Sequence, residues 1–531
     1  MVGVVHDTDG YPVAAATVIL HAPGGSRIAG GTTAVDGTFA VAAGRAVAAV
    51  EIRCAYCLQM TVGYAGRPVL AVVRRFAALR DRGISADDAR VLPYAAVTDL
   101  AALLPFAVTT YGTISDRGLA GVQGSVVADG IGLYRASDGI DLGTAIPAHG
   151  TATIVETAPT AANAYGAYSS GGLFSIDTLD QSGGLVRVDG STATDVAIRG
   201  GSALRGAFET AGGSDAATRG VVAGTLATAA GNLDVRAVSA GGLGADASGF
   251  ATTLATPVRT AMLTTSLSMS RSDDEYGAEN DSLATLALQS GGITYGVRAQ
   301  RASSFSYAPA AESDTRAFVQ SLQTIGSAQL FVSLAAAASS ETLRERSSQN
   351  GAVLPVVSVS THVAPMFTLH ADSVAALLTT PLYLTYAVPN GTAVDRSHLS
   401  DAGLGFDDGN RFRIDVMAFR ETVSETAYGT TAGSGVSLVW QVAPSLAIRS
   451  WTLVSHNGAG YIDQFYSAGT TNLDRSVTWL TAGNVLRVDA IWRGSELAGD
   501  VSMPVMQHVR FVAGTRRAGA SRVVTAGISW P

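Results

Sequence analysis

Apolar and polar residues alternate with a period of two from about residue 183 to the C-terminus. In LRVDAIW, the apolar Leu486, Val488, Ala490 and Trp492 alternate with one arginine and one aspartate, and RVVTAGISW repeats the pattern at the end of the chain. Such runs predict β-strands with one apolar and one polar face. Roughly 20 to 22 runs follow one another, and about 350 residues accommodate about 22 strands with short connections.

The chain is hydrophobic overall but contains no candidate membrane-spanning helix, and this combination limits the possible fold classes further. Mean hydropathy is +0.26 and charged residues make up 15% of the chain, yet no window contains the roughly 18 uninterrupted apolar residues of a spanning helix. Two classes remain: a protein with a large soluble core, or a transmembrane β-barrel in which alternation dilutes the apolar residues. Many alternating runs in succession, with aromatic residues at the ends of apolar faces, favour the barrel.

The connections between runs support the same choice. Short links such as AAGNLD, SGGITY and VAPSLA alternate with four polar segments, SRSDDEYGAENDS, SSETLRERSSQNGA, VPNGTAVDRSHLSDAG and SHNGAGYIDQFYSAGTTNLDRS. Outer-membrane barrels have short turns at one rim and long loops at the other. We therefore predict long loops at the four polar segments.

Charge and reactive residues exclude several functions. The net charge is −8, lysine is absent and the arginines are scattered, so a nucleic-acid-binding surface is not expected. The histidines are dispersed, and Cys54 and Cys57 form a single C-x-x-C pair, so no metal site and no cofactor are expected; a local disulfide or two thiols remain open. The N-terminus lacks the basic and apolar regions of a secretory signal.

The first 62 residues alternate and turn often, which predicts a small β-sandwich. They resemble the carboxypeptidase-regulatory-like module, a non-catalytic domain. The positions that carry the resemblance are Val5, Asp7, Gly10, Pro12, Ala16 and Val18, followed by Thr33, Gly37 and Phe39. Residues 63–90 are predicted to be a linker with one extended segment, RPVLAVV.

Residues 91–182 contain a predicted short helix, VTDLAALLPF, that stops at Pro105, and then several strand-like segments. They resemble the plug domain of TonB-dependent outer-membrane receptors over about 75 residues. Besides Leu104-Pro105, the matching motif residues are Arg117, Gly118, Asp129, Gly130, Glu156, Pro159, Tyr165, Gly166, Gly171 and Gly172. Thr157-Ala158 stands where the family commonly has Arg-Gly. The glycines precede neither a lysine nor a long helix, so they are interpreted as packing glycines rather than as a phosphate-binding loop.

The resemblance implies a mainly β architecture with four parts. These are a β-sandwich at 1–62, a linker at 63–90, an α+β plug domain at 91–182 and a transmembrane antiparallel β-barrel of about 22 strands at 183–531. It places the chain as a monomer in the lipid of a bacterial outer membrane. We expect an export signal that was removed, or missed at the start of the gene.

The resemblance also implies a receptor that imports a scarce small-molecule or glycan ligand, such as a siderophore or cobalamin, and performs no covalent chemistry. Its expected partner is a TonB-type energy-coupling protein, for which the candidate contact is Val69, Leu70, Ala71, Val72 and Val73. Coupling by strand addition is a known mode of peptide recognition. Candidate ligand contacts are Tyr134, Arg135, Asp138, Tyr461 and Tyr466. In the alternative interpretation, Tyr134 packs within the plug and Arg135 pairs with a carboxylate of the barrel wall, so that neither contacts a ligand.

Two further functions stay open at this point. One is an uncoupled channel or a surface adhesion protein of the same architecture, because the energy-coupling segment is indistinct. The other is a secreted β-rich hydrolase that uses carboxylates such as Glu156, Asp177 and Asp180 as an acid/base pair. Glu156 falls where the plug family has a structural glutamate, which disfavours the hydrolase.

Overall fold

A computed structural model describes the N-terminal region in part and most of the following barrel. The described residues are 1–7, 16–23, 26–33, 38–53, 60–64, 66, 68–73, 82–85, 104–110, 113–116, 125–128, 131–132, 151–157, 173–178, 183–189, 194–201, 204–211, 217–242, 245–259, 261–274, 277–290, 293–305, 309–326, 328–343, 346–364, 366–379, 394–407, 412–423, 430–443, 446–457, 471–481, 487–493, 496–506, 509–518 and 521–530. The chain divides into two compact units, Met1–Asp81 and Arg82–Pro531.

The N-terminal unit is a small module of two β-sheets. Its strands are β1 (Val2–Asp7), β2 (Thr17–His21), β3 (Arg27–Thr32), β4 (Thr38–Ala40), β5 (Ala49–Arg53), β6 (Met60–Gly63) and β7 (Val69–Val73). One sheet has the order β4-β1-β7 and the other β3-β2-β5-β6. Their facing apolar side chains form one core that includes Val5, Ala16, Val18 and Phe39. The alternation noted in the sequence therefore supplies the inward faces of this module.

The segment predicted to be a linker, 63–90, is not a linker along its described length. Val69–Val73 forms strand β7, which pairs in parallel with β1, and Val69 and Ala71 are buried in the module core. Arg82–Ser85 forms a strand of the second unit and pairs there with residues 153–156. The predicted extended segment RPVLAVV does contain strand β7, but its assignment to a linker is wrong. A five-residue apolar run has the same pattern whether it is free or pairs with a distant strand.

The second unit begins with strands that precede the barrel, and we refer to residues 82–178 as the plug segment. Its strands are β8 (Arg82–Ser85), β9 (Ala107–Thr110), β10 (Thr113–Asp116), β11 (Ser125–Ala128), β12 (Ile131–Gly132), β13 (Thr151–Thr157) and β14 (Leu173–Thr178). Five of them form a sheet of order β12-β11-β14-β13-β8, and β9 and β10 form a hairpin. The described part of the predicted helix, Leu104 to Phe106, is a turn.

The remaining strands form one closed barrel. They are β15 (Gly183–Asp189), β16 (Thr194–Gly201), β17 (Leu204–Ala211), β18 (Ala217–Thr228), β19 (Gly231–Gly242), β20 (Ala245–Val258), β21 (Ala261–Asp274), β22 (Gly277–Ser290), β23 (Ile293–Phe305), β24 (Pro309–Ile325), β25 (Ala328–Leu343), β26 (Arg346–Ala364), β27 (Phe367–Thr379), β28 (Val394–Asp407), β29 (Phe412–Val423), β30 (Thr430–Ala443), β31 (Leu446–Asn457), β32 (Thr471–Thr481), β33 (Arg487–Arg493), β34 (Glu496–Met506), β35 (Val509–Ala518) and β36 (Ser521–Trp530). Each strand pairs with the next, and β15 pairs with β36 to close the cylinder. Closure gives every barrel strand a neighbouring strand on both sides.

The two faces of the barrel wall differ in polarity. In β25, Val332 and Leu334 are 42% and 47% exposed on the outside, while Ser333, Ser339 and Glu341 on the opposite face are buried. The same alternation recurs in the other strands, with apolar side chains outward and most buried charges inward. A wall that is apolar outside and polar inside is the arrangement that a lipid environment requires.

Aromatic side chains mark one rim of the outer face. Phe367 at the start of β27 lies 5.1 Å from Phe406 of β28, and Phe406 lies 6.1 Å from Phe412 of β29, measured between ring centroids. Trp440 of β30 is the register partner of Phe412 and is 44% exposed. Aromatic rings gather at membrane–water interfaces, so this rim is interpreted as one boundary of the apolar band.

Two of the four predicted long loops are wrong. β21 continues to Asp274 and β22 begins at Gly277, while β25 continues to Leu343 and β26 begins at Arg346. The polar segments SRSDDEYGAENDS and SSETLRERSSQNGA are therefore mostly strand, because paired strands that run past the apolar band can carry polar residues on both faces. Longer intervals do separate β27 from β28 (380–393) and β31 from β32 (458–470).

Within the described residues, no helix is long and apolar enough to cross a membrane.

The N-terminal module offers a test of one buried hydrogen bond. Ala16 N–H donates to Thr33 Oγ1 at 2.8 Å, and both residues are buried. Thr33→Val keeps the shape but leaves the Ala16 N–H without this acceptor, so we expect a loss of about 1–3 kcal/mol in local stability. Hydrogen exchange of β2 and β3 amides in the full chain measures the loss. Thr33→Ser, which keeps the hydroxyl, is the matched control, and equal exchange in both variants would contradict the prediction.

The orientation of the wall predicts a depth-dependent cost for charge on its outer face. Leu334 points outward near the middle of β25, and Thr342 points outward next to the end of the same strand. Leu334→Arg is expected to cost about 2–4 kcal/mol, and Thr342→Arg about 0–1 kcal/mol. Urea-dependent folding into lipid vesicles measures both values. Equal costs would mean that these positions do not differ in membrane depth.

Candidate functional site: the barrel interior

The inner face of the barrel carries an excess of acidic groups. Among the buried charged side chains of the described barrel strands, eight are carboxylates and four are guanidinium groups. The carboxylates are Glu209, Glu312, Asp314, Glu341, Asp372, Asp401, Glu421 and Asp500, and the guanidinium groups are Arg187, Arg219, Arg298 and Arg316. Charges of this number are tolerated on a membrane barrel only if they face its interior.

Asp314 holds the most completely buried of these charged clusters. Its carboxylate accepts from Arg298 Nη2 at 2.6 Å and from Arg316 Nε at 2.9 Å, and Ser339 Oγ donates to it at 3.0 Å. Arg298 and Arg316 are direct register partners on β23 and β24 and are each 1% exposed. Two buried guanidinium groups repel each other, so the carboxylate between them is required for the wall to form here.

Other inward carboxylates are also held by hydrogen bonds, either between neighbouring strands or within one strand. Ser397 Oγ donates to Glu421 Oε1 at 2.7 Å, and Arg413 Nε donates to Asp415 Oδ2 at 3.0 Å. His370 Nε2 lies 3.8 Å from Asp401 Oδ1. These contacts fix side chains in the lumen without forming a constellation of nucleophile, base and oxyanion donors.

The barrel wall itself turns inward at β27 and β28. Pairing between β26 and β27 stops at Val356 and Val374, although β26 continues to Arg346 in its ladder with β25. Beyond that point Val394 of β28 lies against the inner face of β26, where its N–H donates to Ser348 Oγ at 3.2 Å and its carbonyl accepts from Asn350 Nδ2 at 3.1 Å. Buried Leu377 and Val394 pack on Phe318, Ala335, Ala337 and Leu354 of the wall. This hairpin therefore narrows the lumen.

A turn of the plug segment also lies against the inner wall. Ala107 N–H donates to the Leu104 carbonyl at 3.2 Å, and Phe106, inside this turn, is 1% exposed. The Phe106 ring packs edge-on against Trp451 of β31, with centroids 6.1 Å apart. It also covers Gly435 of β30, where an added Cβ would lie 2.6 Å from Phe106 Cε1. Because Gly435 and Trp451 both face inward, this contact places the turn inside the barrel.

All five residues predicted to form the ligand site lie outside the described residues. These are Tyr134, Arg135 and Asp138 before β13, and Tyr461 and Tyr466 between β31 and β32. The same holds for the motif residues Arg117, Gly118, Asp129, Gly130, Pro159, Tyr165, Gly166, Gly171 and Gly172, and for Cys54 and Cys57. The ligand contacts therefore stay predictions.

Two sets of predicted residues are placed by the structure. Glu156 lies in β13 opposite Phe174 of β14, and Asp177 of β14 lies opposite Thr153, so the register does not bring these two carboxylate residues together. Val69 to Val73, the predicted contact for the energy-coupling protein, form the outer strand of the sheet β4-β1-β7.

Sequence reasoning missed both the Asp314 cluster and the Phe106 contact. The cluster had a signal, because Glu312, Asp314 and Arg316 occupy alternate positions of β24, as expected of a strand with a wet inner face. The signal for Phe106 is weaker: a bulky aromatic residue directly follows the proline of a turn, at a position where glycine is common. Neither signal names the partner strand.

In the part of the chain that the structure describes, no group of three or more His, Cys, Asp or Glu side chains is arranged to hold a metal ion.

Neutralising Asp314 should destabilise the wall more than neutralising an exposed carboxylate. Asp314→Asn leaves two buried arginines facing each other, so we expect a loss of about 3–5 kcal/mol in barrel stability. Asp273 pairs with Arg271 at 2.9 Å, but its side chain is 46% exposed, and Asp273→Asn should have no measurable effect. Equilibrium unfolding in lipid vesicles compares the two variants, and similar stabilities would show that Asp314 does not hold the arginines.

No protein-family model matches the chain, and no curated protein matches it at a significant level. Solved structures do match it. A ferric enterobactin receptor from Pseudomonas aeruginosa superposes with a TM-score of 0.67 at 11% identity, covering 85% of this chain and 98% of that chain. The copper transporter OprC matches with a TM-score of 0.67 at 11% identity, covering 86% of this chain and 99% of that one.

The alcaligin outer-membrane receptor FauA from Bordetella pertussis is similar to the same extent. It has a TM-score of 0.64 and 11% identity, and the match covers 86% of this chain and 96% of that chain. A closed barrel preceded by a segment that packs inside it is thus common to this chain and to known outer-membrane receptors, and the resemblance predicted from the plug motifs is confirmed at the level of the fold. The chain has the fold of the TonB-dependent outer-membrane receptors.

Proposed function

We propose that this protein is an outer-membrane receptor that binds a scarce ligand at the cell surface and imports it through the barrel. The observation that carries the proposal is the seating of Phe106, a residue of the plug segment, on the inner wall of a closed barrel. A barrel of 22 strands is too wide for its own side chains to fill, so it is useful for transport only if something controls the opening. The plug segment supplies that control.

The described interior contains bound structural charges rather than an assembled catalytic centre, which supports transport over hydrolysis. The excess of buried carboxylates on the wall favours positively charged groups in the lumen, on the plug segment or on a ligand. The structural neighbours are receptors and transporters of enterobactin, alcaligin and copper by their names. We therefore expect a metal ion or a metal chelate as the ligand class to test first, ahead of cobalamin and glycans.

Energy coupling through β7 would use strand addition at the open edge of its sheet. β1 occupies one side of β7, and among the described residues no strand pairs with its other side. Addition there would leave the buried Val69 and Ala71 in place, whereas extraction of β7 would expose them to water. A TonB-type protein that pairs with this edge could pull on the module without first unfolding it.

An uncoupled channel or surface binding protein is the second candidate. The burial of Val69 and Ala71 favours it, because a segment that belongs to a folded module is less available than a free extended one. The two candidates differ in energy dependence: an uncoupled protein binds or passes its ligand without a proton gradient across the inner membrane.

Whole-cell uptake distinguishes the candidates. We expect cells that express the protein to bind ⁵⁵Fe-loaded hydroxamate siderophores that are neutral or cationic, or Cu²⁺, in preference to anionic ferric catecholates, and to accumulate one of these probes only while the proton gradient is intact. Collapse of the gradient should stop accumulation and leave surface binding unchanged. Accumulation that survives collapse would support the uncoupled channel, and the absence of binding for every probe would contradict a metal-related ligand.

A pair of proline variants tests the coupling edge. Successive residues of a strand direct their N–H groups to opposite edges, so one of Leu70→Pro and Ala71→Pro removes a bond to β1 and the other changes only the open edge. Proline at an open edge is tolerated. We expect the variant that preserves the stability of the module to lose energy-dependent uptake while keeping surface binding. Normal uptake in that variant would exclude β7 as the coupling contact.

A further inference from the structure

The turn Leu104–Ala107 has a backbone conformation that its sequence does not favour. Phe106 has φ of +66°, in the left-handed region. With Pro105 in the second position and φ above zero in the third, the turn has the pattern of type II, in which the third residue is normally glycine or asparagine. A bulky side chain there is a genuine outlier, so contacts outside the turn must hold it.

Those contacts come from the barrel wall. The ring of Phe106 lies over Gly435 and against the edge of Trp451, and we call these two residues the socket. The three atoms nearest to a Cβ built on Gly435 all belong to the Phe106 ring, at 2.6 to 3.0 Å. The Phe106 ring therefore lies where a side chain at position 435 would be, and glycine at 435 is what leaves room for it.

The wall contains a matched arrangement that does not involve the plug segment. The ring of Phe318 on β24 lies over Gly296 on β23, where an added Cβ would meet the Phe318 ring, and Phe318 is 6% exposed. Both partners belong to neighbouring barrel strands. Phe318 thus matches Phe106 in residue type, burial and ring-over-glycine packing, and differs in joining two parts of the wall rather than the plug segment to the wall.

We propose that Phe106 is the anchor that holds the plug segment in the lumen at β30 and β31. The ring must leave its socket before the turn and the following hairpin of β9 and β10 can move. When it leaves, the backbone of the turn relaxes out of the left-handed region, so release of the ring and relaxation of the turn occur together. The proposal depends on the fold and on no ligand, so it stands or fails independently of the uptake experiments.

Removing the ring should loosen the plug segment while the barrel stays folded. In Phe106→Ala, we expect hydrogen-exchange protection of amides in Ala107–Thr110 to fall about 150- to 5,000-fold, the range for loss of a buried phenylalanine ring. Phe318→Ala, the matched control, should leave protection of these amides unchanged. Heat-modifiable gel mobility of the full chain verifies that the barrel is folded in each variant.

Comparing glycine with alanine at position 106 tests the conformational part of the proposal. In an ordinary extended or helical backbone, glycine is less stable than alanine. At φ of +66° the order reverses, because alanine keeps the left-handed strain and glycine does not. We therefore expect Phe106→Gly to retain about fivefold more protection than Phe106→Ala. Lower protection in the glycine variant would overturn the claim that the seated turn is strained.

Filling the socket gives a second, independent test. Gly435→Ala adds a methyl group where the ring lies, so it should release the plug segment in the wild-type background. In the Phe106→Ala background the same methyl group meets no ring, and Gly435→Ala should then have no further effect. Additive effects of the two substitutions would overturn the proposal, as would unchanged protection of β9 in Phe106→Ala. Planar-bilayer conductance should follow the same order, with more frequent openings in variants that lose protection.

Discussion

Closure of the sheet is the constraint on which the rest of this structure depends. Once β15 pairs with β36, every strand of the cylinder has a neighbour on both sides, and no sheet edge is left open, as a lipid environment demands. Closure also separates the two faces completely. Period-two alternation then places Leu334 on the outer face and Ser333 on the inner face, one residue apart. The same geometry concentrates the buried charges inside, where they need partners from neighbouring strands or from whatever fills the barrel.

The charged interior shows why packing alone cannot stabilise such a wall. Arg298 and Arg316 stand directly opposite each other in register, a pairing that is unfavourable in itself. Asp314 offsets it by bonding both, and Ser339 on the third strand holds the other side of the carboxylate. The cluster ties β23, β24 and β25 together through side chains as well as through the backbone ladder. Where β27 and β28 fold inward, side chains again replace the ladder: Ser348 and Asn350 of β26 bond the backbone N–H and carbonyl of Val394 in β28.

The sequence predicts the strands well, but it predicts poorly which segments they pair with and where they end. Alternation at Val524, Ala526, Ile528 and Trp530 identifies a two-faced strand because the pattern is local. Whether a polar hairpin is a loop or a strand beyond the membrane depends on its partner, so the segments at Asp274 and Leu343 were wrongly predicted to be loops. Val69–Val73 was wrongly placed in a linker for the same reason, because its pairing with β1 spans more than sixty residues. Contacts between the plug segment and the wall, such as that of Phe106 with Gly435, produce no periodic pattern in the sequence.

Ring-over-glycine packing links the wall to the plug segment in physical terms. Inward glycines at 296, 403 and 433 each lie under a ring from a neighbouring strand, namely Phe318, His370 and Phe419. Because glycine has no side chain, an aromatic ring on the neighbouring strand can lie flat over it, and the ring fills the inner surface without a steric clash. Gly435 also lies under a ring, but this ring belongs to Phe106 of the plug segment and not to a neighbouring barrel strand. A contact of this kind is not maintained by strand pairing, so its strength depends on the ring and on the turn that presents it. Because the turn relaxes when the ring departs, the contact is weaker than its buried area implies, and a modest pull can break it while the Asp314 cluster and the closed ladder stay intact.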